Sequence, residues 1–156
     1  MCEKSLFLCS LLVALAAVPW QDEASKKDAE LLQGDWAAIW VIQDGTKLPD
    51  DDAQALFRTI KGDKYTVFRY AQPLAKWTFT LDAAKKPKTI DVRREGDDKG
   101  PPSLGIYDFE GGKLKLCMGG SGKDRPTMFD SKAGSGYTLS LWEREKKAKL
   151  AQPGSR

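Results

Sequence analysis

Residues 117 to 129, CMGGSGKDRPTMF, set three glycines beside a lysine, the residue types that cradle a phosphate. Phosphate-binding loops of that kind need four residues between the first glycine and the Gly-Lys pair, a Ser or Thr after the lysine, and a helix opening on the phosphates. Counting from Gly119 or from Gly120 the spacing fails, Asp124 stands where the hydroxyl should be, and Pro126 leads into a β-branched and aromatic run. The stretch therefore reads as a long hairpin connection, Gly119 to Arg125, between two strands, the second being PTMFD (126–130). Asp50, Asp51 and Asp52 are consecutive, whereas calcium loops space their carboxylates at alternate positions, so helix capping is the better account of them. The chain has no histidine, which removes the usual general base and the usual zinc ligand. Cys117 has no histidine to activate it and reads as a structural thiol. These residues predict no enzyme, no metal and no cofactor.

The elements that must hold any site come next. At 156 residues, 41% hydrophobic and 30% charged, the chain has room for one domain. MCEKSLFLCSLLVALAAVPW opens on charged residues, continues as an apolar run from Leu6 to Val18, and carries Ala14, Ala16 and Ala17 at its end. This predicts a signal peptide over 1–17, with the mature chain starting at Ala17 or Val18. Cleavage leaves no stable membrane insertion and places the protein in the periplasm or outside the cell. The net charge of +3 is mild, and export argues against a nucleic-acid partner.

DEASKKDAELLQG reads as a short helix stopped by Gly34. The period then changes to two, with strand-like runs at 35–43, 57–61, 64–70, 76–82, 88–94, 104–110, 113–118, 126–130 and 137–145. A second, short helix is expected at 50–57, opened by Pro49 and an acidic first turn. Asp44-Gly45, Gly62-Asp63 and Gly111-Gly112 suit tight hairpins, so the strands follow one another antiparallel. That many strands leave two exposed edges unless the sheet closes, which predicts an all-β up-and-down barrel of about eight strands over 18–147, followed by a disordered tail at 148–156. The alternative is a two-sheet sandwich. WAAIWVI is apolar on both faces, and the N-terminal helix is expected to cover its outer side.

Gly34-x-Trp36 at the first strand and Arg144 on the last resemble the lipocalin arrangement, in which a Trp at the barrel base packs beneath an Arg of the closing strand. The ordered series LQGDW, DGTKLPDD, LDAAKKPKTIDV, LGIYDFEGGKLKLC, RPTMF and SGYTLSLWERE is similar to a lipocalin-like domain family expanded in planctomycete bacteria. The loop MGGSGKDRP departs from the PPGxxRP-like form of that family. The resemblance implies an exported barrel and brings no established activity and no catalytic residues.

On this reading the chain is a ligand-binding module for a small apolar or anionic molecule. Trp40, Trp77, Tyr107, Tyr65 and Phe79 are expected to line the pocket, and Arg125, Arg69 or Arg94 pointing inward would favour an anion. The rival is a non-catalytic protein-interaction or envelope-structural domain whose barrel is plugged by the same side chains, with a protein partner the sequence does not identify.

Overall fold

The computed structural model describes residues 22–145. The expected leader at 1–17 and tail at 148–156 lie outside the described residues. Helix α1 (Glu23–Leu32) is followed by β1 (Gly34–Gln43), the short β2 (Thr46–Lys47), α2 (Asp50–Gln54), β3 (Leu56–Lys61) and β4 (Lys64–Arg69). Then come β5 (Gln72–Asp82), β6 (Lys88–Arg94), β7 (Ser103–Glu110), β8 (Lys113–Gly119) and β9 (Tyr137–Arg144). Strands β3 to β9 pair antiparallel in sequence order, and β1 joins β3 on one side and β9 on the other. Eight strands thus close into a barrel, which removes both sheet edges. Strand β2 is an extra strand on the far end of β1, brought back by a turn in which Asp44 and Gly45 both have positive φ, 49° and 82°.

Side chains alternate across the wall, and the main core lies inside the barrel. Ile60, Tyr65, Phe79, Leu81, Ile90, Val92, Tyr107, Leu114, Leu116 and Trp142 are buried there together with Trp36, Ala38 and Val41 of β1. A bulge between Ala38 and Trp40 shifts the phase of β1 by one residue. Upstream of it, even-numbered residues face the core; downstream Val41 does, and Trp40 and Ile42 are turned outward. Outside, Trp40 and Ile42 pack with Ile106, Cys117 and Leu139, and this second cluster is covered by Phe129 and Tyr137.

Three expectations are corrected here. Residues 126–130 are not a strand but part of a long crossing between β8 and β9. Arg125 and Phe129 tie that segment flat on the outer wall instead of leaving its backbone to pair. The cover over β1 is this crossing, whereas α1 lies across the barrel end at which β1 begins. Finally, the three aspartates of α2 make no side-chain cap, because Pro49 holds the N-cap position. Asp50 pairs with Lys47, and Asp52 accepts from Arg69 and Tyr70.

Helix α1 starts on Asp22, which accepts from the Ser25 amide at 2.6 Å, and buries Ser25, Asp28 and Leu32, one face of the helix. Ser25 accepts from the Ala83 amide beyond β5, so the helix is bonded to the end of the barrel and does not rest on its side.

Candidate functional site

The two ends of the barrel differ in chemistry. At the end under α1 the buried polar groups are paired within the chain. Trp36 donates its indole N–H to the Leu32 carbonyl at 2.8 Å, and Arg144 lies over the Trp36 ring at 4.5 Å. Arg144 also donates to the carbonyls of Gln33, at 2.7 Å, and of Leu31, which are free acceptors at the helix C-terminus. Gly34 has φ of 109°, and a Cβ there would stand 3.3 Å from the Arg144 guanidinium, so the G-x-W spacing leaves room for the arginine. Asp28, 5% exposed, accepts from Tyr107 at 2.8 Å and pairs with Lys88 at 2.7 Å. Burial, aided by the neighbouring Asp28 carboxylate, holds the Tyr107 phenol well above its ordinary value. These bonds tie α1 over this end, the floor, around Trp36 and Tyr107, and a groove of about 220 Å³ remains beside the helix, bordered by Ala29, Gln33, Gly62, Phe79 and Leu81.

The opposite end, the mouth, is less completely covered. Leu48, Leu56, Val67, Trp77 and Met118 pack against the core but remain only partly buried. Trp77 stacks on Tyr65, rings 6.3 Å apart and inclined by 15°, and Tyr65 is followed inward by Phe79 at 6.2 Å. An aromatic wall therefore runs from mouth to floor.

Arg58 stands on this wall. In β3 it has the phase of Leu56 and Ile60, so its side chain enters the barrel, and across the sheet it is paired with Trp36 on β1 and Val67 on β4. Its guanidinium carbon lies 4.7 Å from the Tyr65 ring centre and 4.4 Å from that of Trp142. The Nε atom is buried with no hydrogen-bond partner. None of the ion pairs among the described residues includes Arg58. Burial lowers its pKa from the ordinary arginine value, with Tyr65 acting in the opposite sense. The Tyr65 phenol is raised, again chiefly by burial. Each ring contributes about 0.5–2 kcal/mol to holding the cation. The side chain as a whole is half-buried, so the desolvation cost falls chiefly on Nε, which reaches neither solvent nor an acceptor.

Of the expected pocket residues, Trp77 lies at the mouth. Tyr107 is inside but at the floor, 1% exposed and committed to Asp28. Trp40 is outside the barrel because of the β1 bulge, and so does not line the interior. Arg125 is also outside: it donates to the Gly105 carbonyl at 2.7 Å and pairs with Asp91 at 2.6 Å, pinning the β8–β9 crossing across β6 and β7. A groove of about 590 Å³ beside it, bordered by Lys85, Lys86, Thr89 and Thr127, lies on the outer wall, where the guanidinium is already neutralised by Asp91. Arg69 is paired with Asp52. Trp36 and Arg144 meet as the G-x-W reading expects, with residue 36 directly opposite residue 144 in the β1–β9 register.

Sequence reasoning missed Arg58. Its signal was the alternation in LFRTIK, where Leu56, Arg58 and Ile60 fall on one face and Phe57, Thr59 and Lys61 on the other. Among the described residues, no group of three or more His, Cys, Asp or Glu is placed to hold a metal ion. Comparison of the chain with protein-family models, curated proteins and solved structures finds no match.

Proposed function

We propose that this chain is an exported binding module that takes a small, largely apolar ligand into the mouth of its barrel. The observation that carries the reading is the half-covered apolar rim at the end away from α1, where Leu56, Val67, Trp77 and Met118 pack on the core without being sealed, while at the other end Trp36, Asp28 and Tyr107 have their polar atoms paired within the chain. Eight-stranded barrels are just wide enough to hold one small ligand, and such sites are apolar with a few placed polar groups. Export rests on the apolar leader at 6–18.

The neutral apolar dye Nile red tests the reading. Saturable binding in the micromolar range, about −8 kcal/mol, is expected, with Trp77 acting as an energy donor to the bound dye. Trp77→Ala should weaken binding at least several-fold while Trp40→Phe, on the outer wall, leaves it unchanged. Absence of saturable binding would refute the module and favour the plugged, protein-interacting barrel.

A further inference from the structure

We propose that Arg58 is the head-group site of the barrel interior and that it selects a monocarboxylate whose apolar body lies along Trp77 and Val67. This rests on the binding-module reading and names the ligand class for that same mouth. Four other guanidiniums have their partners on the protein: Arg69 on Asp52, Arg125 on Asp91, Arg144 on two helix carbonyls and Arg93 on the Gly100 carbonyl. Arg58 has aromatic rings on its flanks and a buried Nε with no acceptor. An anion at this point supplies what the fold leaves out, since a carboxylate accepts from the guanidinium fork and cancels its charge.

The charge count sets the class. Two guanidiniums on the inward phase have no partner among the described residues: Arg58, among Tyr65, Trp142, Trp36 and Val67, and Arg94, exposed at the end of β6. Only Arg58 stands where the head group would lie, and none of its neighbours there can balance a second negative charge. A single carboxylate balances the Arg58 charge, whereas a phosphate dianion carries a surplus charge onto a half-buried aromatic wall. Arg94 has the inward phase of Ile90 and Val92 but sits exposed at the mouth, where it attracts an anion without having to desolvate it.

Displacement of Nile red by three probes with the same chain, octanoate, octanol and octyl phosphate, tests this against Arg58→Met, which keeps the volume and removes the charge, and Arg58→Lys, which keeps the charge. Octanoate is expected to bind at least 10-fold tighter than octanol and tighter than octyl phosphate. Arg58→Met should erase the advantage of octanoate over octanol, and Arg58→Lys should retain part of it. Octanoate should also raise the Tm of the wild-type chain and leave that of Arg58→Met unchanged. Equal binding of octanoate and octanol overturns the head-group site and leaves the binding module standing, provided that Nile red binds. Tighter binding of octyl phosphate overturns the monocarboxylate class. If none of the probes nor Nile red binds, both readings fall.

Discussion

Replacing Arg144 by alanine tests the closure of the barrel more directly than any other single change. The side chain does three things at once: it donates to the carbonyls of Leu31 and Gln33, it places a cation at the C-terminus of α1, and it lies 4.5 Å over the Trp36 ring. Arg144 is exposed, so each contribution takes its surface value. The hydrogen bonds are worth about 0.5–1.5 kcal/mol each. The helix-end interaction adds about 0.3–1 kcal/mol and the stacked ring about 0.5–1 kcal/mol. Because the terms share one side chain they do not add fully, and a loss of about 2–3 kcal/mol is expected. For a domain of this size that corresponds to a Tm lower by roughly 8–12 °C. Circular dichroism gives the Tm, and Trp36 emission should shift to the red as its cover is removed. Arg144→Lys keeps the charge but not the fork, and should recover less than half of the loss. Glu143→Ala, whose side chain points away from the barrel, serves as the control and should stay within about 0.5 kcal/mol of wild type. If Arg144→Ala unfolds at the wild-type temperature, the floor is held by α1 packing alone and the Trp–Arg closure has no energetic content.

Two further outcomes follow from the buried groups. Tyr107 is held above its ordinary pKa by burial and by Asp28, and Tyr65 chiefly by burial; below about pH 10 both phenols are neutral in the folded and unfolded chain, while above it only the unfolded chain ionises, so stability falls as pH rises. Urea midpoints measured from pH 8 to 11 should show that fall, and Tyr107→Phe should flatten it while lowering the midpoint at pH 8. Cys117 is fully buried, donates to the Asp130 carbonyl, and is raised in pKa by burial; peptide mapping after alkylation at pH 8 should find it unmodified in the folded protein and fully modified in urea, and rapid native alkylation would show that the β8–β9 crossing does not seal the outer cluster.

The sheet was legible because its strands obey a period that physics imposes. Where apolar and charged residues alternate, as in KLKLCMG, a one-residue slip would turn Leu114, Leu116 and Met118 out of the core, and so the register can be read from the residues alone. That argument loses its grip on WAAIWVI, which is apolar in both phases. The bulge at Ala38/Trp40 costs such a strand little, because Trp40 finds an apolar cluster outside as readily as it would have found one inside. Residues 126–130 mislead for a related reason: Phe129 is partly covered by packing on a neighbouring cluster and not by strand pairing, and composition cannot tell those apart. The role of α1 was hidden too, since its buried face carries Ser25 and Asp28, whose partners Ala83, Lys88 and Tyr107 are more than fifty residues away.

Arg144 and Arg58 show how one residue type, in one barrel, is given two different settings. Both enter from the wall and both lie against an indole ring, at 4.5 Å and 4.4 Å. Arg144 is met by the carbonyls that a helix leaves over at its end, and its contribution is complete within the chain. Arg58 is met by nothing that accepts a hydrogen bond at Nε, although a leucine or methionine in its place would fill the same space at lower cost. A group that the fold holds against its own stability is the kind of exception that concentrates at functional sites. On that argument Arg58→Met should unfold at a higher temperature than the wild-type chain in the absence of ligand, whereas Arg144→Ala unfolds at a lower one. Opposite signs from two arginines stacked on indoles would separate the residue that closes the barrel from the residue that the barrel holds for something else.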